Sequence, residues 1–280
     1  MKHIGKSYDK VDAKGILSGK PSYTGDFVPK DALIIKVLRS PHAQAKIKSI
    51  DTSKAKLIPG VEAIFTYEDV PNTRFTLAGQ TYPEPSAYDA LILDSVVRYV
   101  GDEVALVVAK DEATALKAMP LIKVEYEVQK PVLDLRTAMD HETVVHPEDD
   151  ILNHIPVGQD YKRNICVSYH KRVGDIEGEL AKCDYVVEGT YFDQATRQSA
   201  MEPFQSFGYI DHLGRIVIVS STQIVFHVRR HIARALGIPA SKIRVIKPRI
   251  GGGFGSKQTA CTELMTAFVT WKLQKPCYLL

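Results

Sequence analysis

Four glycines fall within five residues of one short stretch, GGGFG at residues 251–255. A β-branched run at residues 243–246 precedes it and a long apolar run at residues 259–273 follows, which indicates a strand and then a helix. Because glycine has no Cβ, the backbone here can take positive φ and come close to a bound group. A helix beginning at the loop would also present free amides and a dipole that favours negative charge. The pattern therefore predicts a junction suited to an anionic ligand.

Two common nucleotide-binding motifs fit this loop poorly. A Walker loop needs Lys directly after its last Gly, followed by Ser or Thr, whereas Ser256 separates Gly255 from Lys257 and Gln258 follows. The dinucleotide fingerprint needs a third Gly at the position of Ser256 and a ribose-binding acid further on. Both nucleotide interpretations are weak. A glycine-rich turn that only joins a strand to a helix explains the isolated loop equally well.

A second junction of the same kind lies upstream. An apolar run at residues 216–219 predicts a strand, and STQ follows at residues 221–223. Apolar residues then recur at every fourth position from residue 224 to residue 236, as in an amphipathic helix. Gln223 is therefore expected at a strand-to-helix corner. Two such corners on neighbouring strands could face one pocket.

Length and charge narrow the class of protein. The 280 residues are enough for two domains with their own cores. A net charge of +3 is too small to argue for a nucleic-acid partner. No apolar run reaches the length of a membrane span, and the first residues lack the apolar core of a signal peptide. We therefore expect a cytoplasmic protein with neither a nucleic acid nor a membrane as partner.

The cysteines argue against a cluster or a structural metal. Cys166, Cys183, Cys261 and Cys277 are scattered and contain no Cys-x-x-Cys pair. The spacing fits neither an iron–sulfur cluster nor a zinc site. We interpret them as buried free thiols.

Several short motifs agree with one known family. STQ at residues 221–223 and GGGFGSKQ at residues 251–258 resemble the molybdenum-cofactor-binding subunit of the xanthine dehydrogenase and aldehyde oxidase family. The other motifs, which resemble its amino-terminal a/b hammerhead domain and the start of its cofactor domain, are YTGD, RSPHA, VGDEVA, VGD and MEP at residues 23–26, 39–43, 100–105, 173–175 and 201–203. Their order and spacing make the resemblance specific, and it covers nearly all of the chain.

The resemblance and the order of elements predict an α+β fold. We expect an amino-terminal arm at residues 1–18, an a/b hammerhead domain at residues 19–130, an interdomain linker at residues 131–165 and the first part of a mixed α/β molybdopterin-binding domain at residues 166–280. The polar arm is expected to be extended, and the linker to be extended and partly packed. Family members continue well beyond this point, so we expect only the start of the cofactor domain in this chain.

Local patterns add finer expectations. In the second half, apolar alternation predicts strands at residues 166–172, 185–192, 204–210 and 215–220, with a short helix at residues 176–182 and a tight turn at residues 211–214. Asp111 is expected to cap a helix that ends before Pro120, and Gly237 is expected to end the helix after Gln223. Residues 275–280 predict the start of a further strand. The helix after Gln223 would carry a basic face, which we expect to be solvated rather than bound to an anionic cofactor or an acidic partner. Residues 72–90 lack a sustained period and contain prolines, and we interpret them as an interface loop.

The resemblance implies roles for a few residues. In the family, the Gln of the STQ motif hydrogen-bonds an oxo ligand of molybdenum, which implies that role for Gln223. The Phe of the glycine loop offers its backbone amide to the metal's ligand sphere, which implies that role for Phe254, and Gly253 and Gly255 would let the main chain come that close. Gln258 stands where xanthine-oxidising members often carry a substrate-binding Glu. The family's general base lies in a region absent here, so no residue of this chain is assigned a catalytic role.

The same resemblance implies an activity. It is hydroxylation of a purine, another N-heterocycle or an aldehyde with water as the oxygen source, in the manner of xanthine dehydrogenase. The expected cofactor is molybdopterin or its cytosine dinucleotide form. Iron–sulfur clusters and FAD would lie on partner subunits, because this chain shows ligands for neither. The isolated chain is expected to be inactive. The alternatives are a non-catalytic assembly or binding module and the remnant of a split subunit.

Overall fold

The computed structural model describes residues 2–20, 22–78 and 81–280. The α-helices are α1 (Ala13–Leu17), α2 (Ser53–Lys56), α3 (Glu112–Ala118), α4 (Ile176–Leu180), α5 (Val225–Leu236) and α6 (Glu263–Leu273). The strands are β1 (Leu33–Arg39), β2 (Ala45–Asp51), β3 (Val61–Phe65), β4 (Val96–Val97), β5 (Glu103–Ala109), β6 (Lys123–Val128), β7 (Ser206–Ile210), β8 (Ile216–Ser220), β9 (Ile243–Ile246) and β10 (Cys277–Leu279).

One mixed sheet joins the two halves of the chain. Its seven strands run in the order β3-β5-β1-β10-β7-β8-β9, while β4, β2 and β6 form a smaller sheet. The last strand, β10, lies in the middle, parallel to β1 and antiparallel to β7. The further strand expected near residue 280 is therefore present. The large sheet continues across both predicted domains, whose boundaries stay a prediction.

The main core lies between this sheet and the helices α5 and α6. Phe268 of α6 and Ile232 of α5 are buried together with Ile218 of β8. Gly208 of β7 lies so close to α6 that a Cβ would fall 2.3 Å from Thr270 Oγ1. A side chain larger than glycine at this position would overpack the contact. This packing fixes α5 and α6 against β7 and β8, next to the two strand-to-helix corners at Gln223 and at the glycine loop.

Several local predictions are confirmed. Asp111 caps α3, with its Oδ1 accepting the Thr114 amide at 2.7 Å, and the helix ends at Ala118, before Pro120. β7 and β8 form the expected hairpin. Gly237 ends α5 in the left-handed conformation, at φ 64°. β8, α5 and β9 form the expected strand, helix and strand, with β8 and β9 parallel neighbours.

The strands predicted at residues 166–172 and 185–192 do not form. These residues have no regular strand structure, and α4 between them is two residues shorter than expected. Tyr185 and Tyr191 are each 91% exposed, and Val187 is also exposed. A strand is stable only when its backbone pairs with a neighbour and one face is buried. In the described part of the chain no sheet edge pairs with these segments, so apolar alternation alone was misleading.

Exposure of this region also corrects the interpretation of the cysteines. All are free thiols, but Cys166 and Cys183 are exposed: Cys166 lies in a predicted strand that does not form, and Cys183 follows α4 in the same exposed region. Cys261 is half-buried and Cys277 is buried. Burial raises the pKa of both Cys261 and Cys277 to about 12, so these two thiols stay protonated at neutral pH.

The amino-terminal arm packs on the body of the chain but is not wholly extended, since it contains α1. The carboxylate of Asp12 accepts a hydrogen bond from the Arg249 guanidinium. The Arg249 amide donates to the Ser22 carbonyl at 2.9 Å. The arm thus lies beside the residues that lead into the glycine loop.

The predicted linker region is extended and partly packed, as expected. Asp150 accepts a hydrogen bond from Arg74 at 2.8 Å, and Glu148 accepts one from Arg98. Burial opposes ionisation of Glu148, but the His146 imidazole, whose Nδ1 lies 3.5 Å from Glu148 Oε2, and the charge of Arg98 outweigh it and lower the pKa of Glu148 to about 2. These ion pairs hold the segment against the first half of the chain.

The described residues of the loop at residues 72–90 lie against the basic face of α5. The Arg230 guanidinium lies 4.8 Å from the Tyr82 ring centroid, and its Nε donates to Glu84 at 3.0 Å. Arg234 lies 4.5 Å from the Tyr88 ring centroid. The loop is therefore an interface within the chain. The expectation that this basic face is solvated therefore holds only in part: Arg234 stays exposed beside its ring, whereas Arg230 has a ring and the buried Glu84 carboxylate as partners.

The described residues contain no helix long and apolar enough to span a membrane; the longest, α5, has 12 residues.

His231 lies under the same loop and is only 3% exposed. Burial, assisted by the nearby Arg230 charge and opposed by Glu84, lowers its pKa to about 4. The folded chain therefore holds this imidazole neutral at pH values where an exposed histidine is charged.

We expect the chain to lose stability as pH falls from about 6.5 toward 4. In this window the unfolded chain binds a proton at His231 that the folded chain does not, so acid favours unfolding, by up to roughly 3 kcal/mol from this group. Urea unfolding at pH 7, 6 and 5 measures the slope. His231→Leu should reduce it, and the matched variant His212→Leu on the exposed β7–β8 turn should not. Equal slopes for both variants and the parent chain would contradict the assignment.

Candidate functional site

The two strand-to-helix corners meet at one edge of the large sheet. Gln223 lies between β8 and α5, and the glycine loop at residues 251–255 follows β9. Because β8 and β9 are parallel neighbours, their carboxyl ends lie at the same edge. The Gln223 backbone amide donates to the Lys257 carbonyl at 2.9 Å. The sequence prediction that both corners face one place is thus confirmed by direct contact.

The side chain of Gln223 lies against the bare backbone of Gly253. A Cβ at position 253 would fall 2.5 Å from Gln223 Oε1 and 2.8 Å from its Cδ. The Oε1 atom is buried and has no hydrogen-bond partner among the residues that the structure describes. Leaving such an acceptor unpaired is unfavourable by about 1–3 kcal/mol. The Gln223 amide group therefore has hydrogen-bonding capacity that a bound polar group could use.

The glycine loop is a tight turn with a strained residue at its tip. The Ser256 amide and hydroxyl both donate to the Gly253 carbonyl, at 2.8 and 2.7 Å. Phe254, between them, has φ 49°, in the left-handed region that bulky residues avoid. Its side chain is 75% exposed, so packing does not explain this conformation. The tip of the loop therefore holds a backbone conformation that a phenylalanine adopts only at a cost in free energy.

Gln258 lies on the exposed side of the same turn. Its backbone amide donates to the Gly255 carbonyl at 3.2 Å. Its side-chain oxygen lies 4.0 Å from the position of a Cβ on Gly255. The structure thus brings together all the predicted site residues, namely Gln223, Gly253, Phe254, Gly255 and Gln258. Their individual roles stay predictions.

The glycine loop does not open α6, contrary to expectation. The helix begins at Glu263, four residues later than residue 259, where the apolar run begins. The carboxylate of Glu263 accepts the amides of Cys261 and Thr262 at 2.8 and 3.1 Å, and the Ser220 hydroxyl donates to it. Burial raises the pKa of Glu263. A side chain of the helix itself thus occupies this end, and the expected anion site at the helix terminus was wrong.

Sequence reasoning missed the charged pair beneath the loop. Lys257 is 2% exposed, and its Nζ lies 2.9 Å from Glu202 Oε2. The same oxygen accepts the Gly251 amide at 2.7 Å, and the Glu202 amide donates to the Gly251 carbonyl at 3.1 Å. Gln205 donates to the other carboxylate oxygen at 2.8 Å. The MEP motif at residues 201–203 pointed to this Glu, but spacing alone did not connect it with Lys257.

Models of two protein domains match the chain. "Aldehyde oxidase and xanthine dehydrogenase, a/b hammerhead domain" matches residues 18–130, and "Molybdopterin cofactor-binding domain" matches residues 157–280. Together they take in most of the chain, including both corners of the site. The chain belongs to the xanthine dehydrogenase and aldehyde oxidase family, in the part that binds the molybdenum cofactor. The predicted family and the predicted α+β fold class are confirmed.

Particular relatives resemble nearly the whole of this chain. It is 40% identical to a probable hypoxanthine oxidase of Escherichia coli over 98% of its length, and 36% identical to an E. coli xanthine dehydrogenase molybdenum-binding subunit over 94%. The crystal structure of quinoline 2-oxidoreductase from Pseudomonas putida 86 superposes with a TM-score of 0.82, at 29% identity over 99% of this chain. The chain spans about a third of each of these proteins: 31%, 34% and 34% respectively.

We expect Phe254→Gly to leave the chain as stable or to stabilise it by about 1 kcal/mol, because glycine adopts positive φ without strain. Phe254→Val should destabilise it by about 1–2 kcal/mol, since a β-branched residue fits this conformation worse. Both variants remove the same exposed ring, so each is the control for the other. Urea unfolding of the chain measures the difference. A Phe254→Val variant more stable than Phe254→Gly would show that the tip is not strained.

Proposed function

We propose that this chain forms one wall of the molybdenum-cofactor site of a molybdenum hydroxylase. The observation that carries the proposal is the contact of Gln223 with Gly253, where a buried amide oxygen lies against bare backbone without a hydrogen-bond partner in the described part of the chain. The residues fit an oxygen-rich cofactor, because the same Gln223 side chain carries an NH2 group that can donate to an oxygen ligand, and the neighbouring Gly253 backbone has no side chain in the way. The family to which the chain belongs supports the same assignment.

Gln223, Gly253, Phe254 and Gly255 would hold the cofactor. When bound, the cofactor supplies the redox chemistry, accepting two electrons from a substrate while water provides the oxygen. The Gln223 amide would donate a hydrogen bond to a ligand of the metal; being neutral, it has no proton to lose at working pH. The Phe254 backbone amide would be the second donor. Gly253 and Gly255 keep side chains out of the space between them.

For the whole protein we propose a xanthine dehydrogenase-like oxidation of a purine, another N-heterocycle or an aldehyde. Gln258 is the candidate substrate contact, since its amide can both donate and accept hydrogen bonds. The cofactor would be molybdopterin or its cytosine dinucleotide form. We further propose a cytoplasmic hetero-oligomer with an iron–sulfur subunit and an FAD subunit. Two observations support placing the other redox centres on separate subunits. The cysteines of this sequence are scattered, and one relative is described as a molybdenum-binding subunit.

A non-catalytic assembly module is the second candidate. The loop of residues 72–90 first suggested such a role, but it is engaged with α5 of the same chain. A purely structural turn would also have no need for the left-handed conformation of Phe254 or for an unpaired amide oxygen on Gln223. The site geometry therefore favours the cofactor.

In the complete complex, we expect Gln223→Ala to lower molybdenum content or kcat/KM at least about tenfold, the effect of losing one hydrogen bond to a charged group. Metal analysis and pterin fluorescence of the purified complex measure the first, and xanthine and aldehyde turnover the second. Gln129→Ala, the same change beyond the end of β6, is the matched control. Parent-level molybdenum content together with parent-level activity in Gln223→Ala would disprove the role.

We expect the 280-residue chain by itself to be inactive and to retain no molybdenum cofactor. The chain spans about a third of the length of its relatives, and the residues assigned above would supply only one wall of the cofactor site. Anaerobic reconstitution with the cofactor, followed by desalting and metal analysis, tests retention. Measurable oxidation of xanthine or of an aldehyde by this chain alone would refute the expectation.

A further inference from the structure

We propose that the buried pair of Glu202 and Lys257 is a positioning device that closes the glycine loop and sets its distance from Gln223. The ligand side of this inference rests on the proposed function, while the positioning itself rests on geometry. Neither residue is proposed to touch substrate or to take part in the chemistry.

One carboxylate oxygen holds both ends of the loop. Glu202 Oε2 accepts the amide of Gly251, the first loop residue, at 2.7 Å, and the ammonium of Lys257, just past the last one, at 2.9 Å. Gly253 and Phe254 lie between these two fixed points. The backbone of Glu202 is also bonded to the Gly251 carbonyl at 3.1 Å, and a Cβ on Gly251 would fall 2.6 Å from Glu202 Cβ. The distance between the two ends of the loop is therefore set mainly by Glu202 Oε2, and the Glu202 backbone and Cβ add further contacts at Gly251.

Lys257 also connects the loop to the other corner. Its carbonyl accepts the Gln223 amide at 2.9 Å, while its side chain turns inward to Glu202. Movement of Lys257 would therefore change the contact between Gln223 and Gly253, where a Cβ would already lie within 2.5 Å of the amide oxygen. A shift of the loop toward Gln223 would crowd the amide oxygen, which lies this close only because Gly253 has no side chain. A shift away is resisted by the ion pair.

Stability alone gives little reason to bury these charges. Removing an ammonium and a carboxylate from water is unfavourable, and apolar residues of similar volume often replace such a pair without loss of stability. An apolar residue at position 202, however, could not accept the Gly251 amide. The two side chains both fill the interior and hold the loop. Apolar side chains could fill the interior, but only charged, hydrogen-bonding groups can hold the loop.

The test compares Lys257→Met, Glu202→Gln and the double variant with Lys275→Met. The last is a matched control, because Lys275 forms an ion pair with Glu62 at 2.6 Å on the surface. Amide hydrogen exchange of the full chain reports the loop directly. We expect exchange at Gly251 and Gln223 to rise by about tenfold or more in Lys257→Met and in the double variant. Exchange in β5 should stay unchanged, and Lys275→Met should alter none of these amides.

Stability and cofactor content separate positioning from packing. Each single variant leaves a buried polar partner without its counterpart and should lower the unfolding midpoint by roughly 10 °C. The double variant should recover most of that loss. In the purified complex, however, it should keep less than half of the parent molybdenum content, because the end of the loop at Lys257 is no longer held.

Three results would overturn the inference, and they are distinguishable from failure of the proposed function. Unchanged exchange at Gly251 and Gln223 would show that the pair does not hold the loop. A double variant with parent-level loop protection, or with parent-level molybdenum content, would show that the pair only fills space. A parent complex without molybdenum would refute the proposed function and the cofactor part of this inference, while hydrogen exchange would still decide whether the pair positions the loop.

Discussion

A lysine ammonium buried beneath a glycine loop requires a carboxylate, and in this chain Glu202 meets that requirement for Lys257. The ion pair links three segments that are far apart in sequence: the residues before β7, the corner after β8 and the loop after β9. Breaking one partner would leave an uncompensated charge in the interior, which is far less favourable than losing an exposed ion pair. The arrangement around Gln223 and Gly253 depends on this pairing.

The large sheet supplies the frame for that pairing. β8 and β9 run parallel, and α5, which connects them, packs in the same core. The carboxyl ends of both strands, and so both corners, therefore lie at the same edge of the sheet. β10 joins the sheet beside β1 and β7 and connects the two halves of the chain through backbone hydrogen bonds. The loop of residues 72–90 then covers the outer side of α5 through Arg230 and Arg234. The helix that follows Gln223 is thus held from two sides.

Local chemistry was predictable where a residue acts on its own neighbours. The capping carboxylate of Asp111, the left-handed Gly237 and the turn between β7 and β8 all work within a few residues, and all are found as expected. Elements that depend on distant partners were predicted less well. Residues 166–172 and 185–192 have the alternation of strands but no strand to pair with in the described chain. The helix α6 begins later than the apolar run, at Glu263, whose carboxylate binds the amides of the two preceding residues.

The sequence by itself determined the family, the α+β class and the place of the site, because glycines and the STQ corner have local conformational preferences that short motifs preserve. Only the tertiary structure decided that Glu202 closes the loop, that Arg230 and Arg234 contact a loop of the same chain, and that Phe254 is strained at the tip. The first two features arise from contacts across long sequence separations, and the third is a backbone conformation that no residue pattern here predicted. No periodicity or spacing encodes them, since burial and charge pairing are properties of the folded chain as a whole.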